Sequence, residues 1–231
     1  MNLTKHWNAF WEEYKIEGEA QTLPGEFPLD LIDKNSRIVE LGCGSGRVVD
    51  YFNRLGYNTY GIDISENAVK VIKTNAKRQR LLNKVVINDC STLAFKNESF
   101  GTVICLGVLE HYPREKEMNS CLSEIKRVLT NKGVAIVSLP HRISAFIFVE
   151  LFKRLTGKWH VGLERKFFPK NFIKSINHAG LACIRHYYRP MDISPAKGIF
   201  YFPALILRWI DTLLAKTGLG GHMTTYILRK I

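Results

Sequence analysis

Three glycines at alternate positions, Gly42, Gly44 and Gly46, lie between a short apolar run and a helical stretch in the segment Val39-Glu40-Leu41-Gly42-Cys43-Gly44-Ser45-Gly46-Arg47. Glycines after a strand and at the opening of a helix let the chain turn sharply and bring its backbone close to a bound nucleotide. The place where a dinucleotide fingerprint has its third glycine holds Arg47, so a pyrophosphate reading is weakened. An apolar run near 57–63 ends at Asp63, 21 residues after Gly42, where a carboxylate can accept both hydroxyls of a ribose. Asp89 closes the next strand signal, beside the expected adenine position.

The strand-then-helix rhythm continues along the chain. Helices are predicted from the glycine turn to about Leu55, over 66–80 behind an N-cap at Ser65, over 114–130, and over 169–179 up to Gly180. Further strands are predicted near 84–88, 101–107, 134–139, 182–189 and 223–230, with Asn131-Lys132-Gly133 as a turn before the fifth. Ahead of them, Trp7, Phe10, Trp11 and Tyr14 recur at i, i+3, i+4 and i+7, one aromatic face of a helix over 3–16. That face suits either core packing or closure over a bound cofactor. The pattern is α/β, a Rossmann-like doubly wound sheet in one domain spanning 1–231. Its core runs over about 36–139; the C-terminal part, 140–231, carries insertions at about 140–168 and 190–221.

Composition narrows the class. With 46% hydrophobic and 23% charged residues and a mean hydropathy of −0.08, disorder and a mostly membrane-embedded chain are excluded. The net charge of +12 is unevenly placed: 18 Lys and Arg face 17 Asp and Glu up to residue 139, and 15 face 4 beyond it. The basic C-terminal part suits an anionic partner (nucleic acid, a phospholipid surface or an acidic substrate) or a solvated face. Five cysteines without a C-x-x-C pair give neither a disulfide framework nor a zinc ribbon. The first fifteen residues lack an apolar run and include Glu12 and Glu13, so no signal peptide is expected and the protein reads as cytoplasmic, with a possible place at the inner membrane face.

Several segments agree in order with one family: VELGCGSGR at 39–47, GIDIS at 61–65, NDC at 88–90, CLGVLEHYP at 105–113 and IKRVLTNKGVAIVSLP at 125–140. Together they resemble the class I S-adenosylmethionine-dependent methyltransferases. The resemblance implies a seven-stranded sheet whose last strand is antiparallel, with both insertions on the substrate rim. It implies that Gly42, Gly44 and Gly46 line the methionine part of the cofactor, with Glu40 holding its amino group. Asp63 would take the ribose, Ile64 would pack on the adenine, and Asp89 would accept from the adenine amino group beside the Cys90 backbone. Leu106 would offer a carbonyl to the methionine ammonium. Carboxylates and carbonyls suit a ligand bearing an ammonium, a sulfonium and a ribose diol. Cys43, in the turn, reads as a small packing residue or a nucleophile.

Glu110-His111 follows the fourth strand signal, and His111 reads as a general base or as a residue that positions one. This stretch is similar to the quinone- and ubiquinone-pathway O-methyltransferases, in some of which two glutamates and a histidine hold a divalent ion. The first glutamate position is Gly107 here, so no metal site is expected. The D/N-P-P-Y/F pattern and the Pro-Cys nucleophile of base methylation are absent, which sets nucleic acid aside as the acceptor. In WHVGLERKFF, His160, Glu164 and Arg165 suit acceptor contact or loop ordering. The first insertion carries Phe146, Phe148, Leu151 and Phe152 before Lys153, Arg154 and Lys158. The second carries an apolar face of Leu205, Ile206, Trp209, Ile210, Leu213 and Leu214, with Arg208, Asp211, Thr212 and Ala215 as its polar stripe. Neither is long enough to span a bilayer. The rim thus suits a lid over a small substrate or an interfacial surface on anionic lipid. The expected activity is methyl transfer from S-adenosylmethionine to a small or lipid-like acceptor, at oxygen. A soluble phosphorylated or sugar acceptor, or a catalytically silent cofactor-binding scaffold, are the alternatives.

Overall fold

Unbroken burial along the central strands gives the sheet two covered faces, as parallel strands require. The computed structural model of the chain describes residues 2–12, 27–74, 84–191 and 201–231, with side chains from 204 onward in the last stretch. The strands are β1 (Arg37–Leu41), β2 (Asn58–Asp63), β3 (Val85–Ile87), β4 (Phe100–Leu106), β5 (Leu129–Pro140), β6 (Leu181–Arg189) and β7 (Met223–Lys230). The helices are α1 (Leu3–Glu12), α2 (Arg47–Arg54), α3 (Glu66–Thr74), α4 (Glu115–Val128), α5 (Phe146–Leu155), α6 (Pro169–His178) and α7 (Tyr201–Lys216). Tyr14, the expected helix ends at 13–16 and 75–80, and the start of the second insertion at 192–200 lie outside the described residues.

The strand order is β3-β2-β1-β4-β5-β7-β6, with β7 antiparallel to both β5 and β6. This is the expected doubly wound, seven-stranded sheet. Val39, Val103, Ala135 and Val137 point to one face, where Met118, Leu122 and Ile125 of α4 and Phe172 and Ile176 of α6 cover them. The alternate residues Ile38, Ile104 and Ile136 point to the other, under Val48 and Phe52 of α2. One boundary differs from the sequence pattern. Phe100 pairs with Leu129 and Thr102 with Val134, so Asn131-Lys132-Gly133 is a bulge inside β5 rather than a turn before it.

Both insertions leave the sheet at its carboxyl edge, and the expected faces of α7 are partly reversed. Asp211, read as part of a solvent stripe, is fully buried; Trp209, on the expected apolar face, is 67% exposed. The cause is a set of backbone donors that need an acceptor. The Asp211 carboxylate accepts from Ser144 Oγ at 2.7 Å, Ala145 N at 2.9 Å, Met191 N at 2.7 Å and His222 N at 2.9 Å. One carboxylate therefore ties the entry to α5, the exit from β6 and the entry to β7 together. With that side turned inward, Ile206, Ile210 and Leu213 face outward beside Trp209, and Ile147, Phe148, Leu151, Phe152 and Leu155 of α5 are likewise exposed. Among the described residues no helix is long and apolar enough to cross a membrane.

Asp211→Ala leaves these donors without an acceptor, and each unmet donor costs about 1–3 kcal/mol. The variant should lose about 3–5 kcal/mol of unfolding free energy in urea; a loss below about 1 kcal/mol would show that water replaces the carboxylate at no cost.

Candidate active site

The glycine turn and the ends of β2 and β4 meet at one place. Gly44 has φ +49°, in the left-handed region that side chains disfavour, and a Cβ there would lie 2.6 Å from the Trp11 ring. Its N–H donates to Asp63 Oδ2 at 2.8 Å, and the Ser65 N–H donates to Asp63 Oδ1 at 2.9 Å. Burial pushes the Asp63 carboxyl above its ordinary value, and the N–H groups of Ser65, Gly44 and Ile64 oppose that shift.

These residues open onto a cavity of about 330 Å³. Its walls include Gly42, Gly44, Asp63, Ile64, Cys90, Leu106 and His111 from the expected set. Glu40, Gly46 and Asp89 are not on the wall. Glu40 is buried near the end of β1, Gly46 caps α2, and Asp89 Oδ1 accepts from the Tyr112 hydroxyl and the Ser91 N–H, each at 2.8 Å. Tyr112 itself lines the cavity, a role the sequence analysis did not assign. Its signal was the YP that ends CLGVLEHYP, a tyrosine just past the fourth strand.

The aromatic face of α1 is a cover. Trp7, Phe10 and Trp11 line the cavity, and no residue of α1 is buried. The helix is tied to α3 through Asn8: its side-chain oxygen accepts from Ser65 Oγ at 2.7 Å, and its carbonyl accepts from Asn67 Nδ2 at 2.9 Å. Trp7 meets the His111 ring edge-on, with centroids 4.9 Å apart.

His111 ends a short 3₁₀ turn, Leu109–His111, after β4. Its Nδ1 lies 2.7 Å from the Leu163 carbonyl. A carbonyl only accepts, so the proton is on Nδ1 and the lone pair on Nε2. Burial lowers the His111 pKa below the ordinary 6.5, against the opposing effect of the Leu163 and Gly107 backbone, so the ring is neutral at pH 7. Neighbouring Glu110 is buried, which pushes its carboxyl well above the usual range, with Glu164 adding to the shift. Its carbonyl accepts from the Arg165 N–H at 3.0 Å. The segment singled out for His160, Glu164 and Arg165 thus reaches His111 through a backbone carbonyl, which side-chain reasoning does not see. Cys43 is buried beside Asp63 and Glu40, and burial holds its thiol well above the ordinary value. A protonated, enclosed thiol packs and does not attack. Among the described residues no group of three His, Cys, Asp or Glu is placed to hold a metal ion.

Residues 39–137 match the family model of a methyltransferase domain. The ubiquinone biosynthesis O-methyltransferase of Bartonella quintana is 28% identical over 116 residues, 50% of this chain and 46% of that protein. The chain spans less than half the length of the curated relatives it matches. A S-adenosylmethionine-dependent methyltransferase of Thermotoga maritima, possibly acting on histamine nitrogen, superposes with a TM-score of 0.61 at 17% identity, covering 88% of this chain and 86% of its own. Magnesium protoporphyrin IX methyltransferase of Synechocystis, solved with S-adenosylhomocysteine, gives 0.57 at 18% identity over 84% of this chain and 74% of its own. These two likenesses are of fold.

Proposed function

We propose that this chain, which carries a class I S-adenosylmethionine-dependent methyltransferase domain on the matching fold, methylates an oxygen of a small or lipid-like acceptor beside His111. The observation that carries the reading is a neutral histidine with its proton on the far nitrogen, lining the same cavity as the glycine turn and Asp63. The residues fit the cofactor. Gly42 and Gly44 present bare backbone where a Cβ would strike Val108 or Trp11, and the Asp63 oxygens keep lone pairs beyond those given to Gly44 and Ser65.

S-adenosylmethionine supplies an electrophilic methyl group on a sulfonium. Asp63 takes the ribose hydroxyls, Ile64 and Cys90 flank the base, and the Leu106 carbonyl accepts from the methionine ammonium. Glu40 and Asp89 act from behind, Asp89 by holding the Tyr112 hydroxyl. Trp7, Phe10 and Trp11 exclude water from above. Displacement at a methyl group depends on alignment, so these walls supply most of the rate and His111 Nε2 removes the acceptor's hydroxyl proton.

Apolar side chains facing outward on α5 and α7 support a lipid-like acceptor taken from a membrane surface at the cytoplasmic face. Phe148 is 61% and Trp209 67% exposed, and Lys153, Arg154 and Lys158 follow Phe148 at the end of α5 and just after it.

Asp63→Ala should weaken S-adenosylmethionine binding by about 1.5–3 kcal/mol in calorimetry through the lost charged hydrogen bonds; an unchanged affinity removes the ribose assignment. His111→Ala should lower kcat about a hundredfold with that affinity unchanged. In the wild type, kcat should fall as the pH drops through the lowered His111 pKa, on the acid side of 6.5, because the proton then occupies Nε2. A drop in kcat under tenfold makes His111 a positioning residue.

Incubation with methyl-labelled cofactor and a total cell extract tests the acceptor. Label should enter the organic phase, and Phe148→Ser/Trp209→Ser should lose flotation with phosphatidylcholine–phosphatidylglycerol vesicles. Label confined to the aqueous phase assigns a soluble phosphorylated or sugar acceptor and makes the rim a lid. No label in either phase leaves a silent cofactor-binding scaffold.

A further inference from the structure

A second cavity, of about 410 Å³, is lined in part by residues 165–168 and shares no lining residue with the first. Arg142, Arg165, Lys166 and Lys174 are on its wall, with Glu115 as the one carboxylate there among the described residues. Cations crowded into one cleft repel each other unless anions are interleaved. Lys166 shares Glu150 with Arg154. Arg142, Arg165 and Lys174 have no carboxylate partner among the described residues.

Aromatic rings hold the two guanidinium groups instead. Arg142 lies over Phe168 at 5.6 Å from the ring centroid, and Arg165 over Phe167 at 5.1 Å. A ring face orients a guanidinium without cancelling its charge or occupying its N–H fork. Arg165 Nη1 is shielded from solvent and has no acceptor among the described residues. A buried donor of this kind is costly unless a ligand or water meets it. Asn171, Lys174 and Ser175 line the cleft from one face of α6.

We propose that this cleft binds a phosphate group, as a phosphorylated small molecule or as a lipid headgroup, independently of methyl transfer. Planar guanidinium forks, an ammonium and neutral Asn and Ser donors match a tetrahedral oxyanion that accepts from several directions. The charge is concentrated, whereas a solubilising face would scatter it with acids.

The test is the melting temperature of the full chain in inorganic phosphate against chloride at equal ionic strength. With a millimolar site, 10 mM phosphate should raise Tm by about 3 °C. Arg142→Gln/Lys174→Gln, at two exposed positions, should abolish that rise while melting normally in chloride, and Arg142→Lys/Lys174→Arg should restore most of it. Flotation separates the two sources. If vesicles of phosphatidylcholine with phosphatidic acid bind better than ones of equal charge made with phosphatidylserine, and the Gln double variant loses the difference, the ligand is a headgroup. If phosphate stabilises but the two vesicles bind alike, it is a soluble phosphate ester. Equal melting in phosphate and chloride, or a rise that survives in the Gln double variant, overturns the site. Each readout is of binding, so it stands or fails apart from turnover.

Discussion

The hydrogen bond from the Gly44 N–H to the Asp63 carboxylate joins the turn after β1 to the end of β2. The three glycines of that turn, Gly42, Gly44 and Gly46, offer no side chains to hold it in shape and all have positive φ. An outside acceptor must fix it, and the end of the neighbouring parallel strand is where one can stand. The same carboxylate also accepts from Ser65, and Ser65 in turn donates to Asn8 of α1. Floor, wall and cover of the cavity are therefore linked through one acid and one serine. Burial penalises the charge on Asp63, and the N–H groups around it oppose that penalty without cancelling it, so further donors would stabilise the carboxylate.

A second buried acid, Asp211, does for the C-terminal part what Asp63 does for the first half. Sequence periodicity assigned it to water because a charged residue on an amphipathic helix normally faces out. Here loose backbone N–H groups at 145, 191 and 222 converge on one point, and satisfying them outweighs the burial of two isoleucines, a leucine and a tryptophan. The exposed rings of α5 and α7 follow from that choice. The rim is apolar on the outside because it is polar at its junction.

Local chemistry made the fold legible. The glycine turn, the acids on strand ends and the strand-then-helix rhythm each follow from spacing along one segment and place seven strands near the observed ones, while the antiparallel last strand came from the resemblance. The bulge at 131–133 was not legible, because a turn signal and a bulge use the same residues; only pairing with β4 tells them apart. The cavity wall was legible at Asp63, Ile64 and His111. The aromatic stripe of α1 was legible as a stripe, with packing and cover both left open, since periodicity gives a face and not what it faces. The Leu163 carbonyl that orients His111 was not legible at all: backbone groups look alike in every residue, and a contact 52 residues away depends on the folded path.

That path carries 163–167 past His111 at one end and along the basic cleft at the other. The Leu163 carbonyl meets His111, the Arg165 N–H meets the Glu110 carbonyl, and the Phe167 N–H meets the Pro140 carbonyl, with the Arg142 N–H returning to the Phe167 carbonyl. Alternate backbone groups thus clamp the segment between the turn after β4 and the end of β5, as a strand would be held. The side chains of Arg165 and Phe167 are left to line the basic cleft. A histidine tautomer on one side and an arginine–ring pair on the other are consequences of one extended stretch. Its basic residues therefore need no role in the chemistry at His111 to be placed next to it.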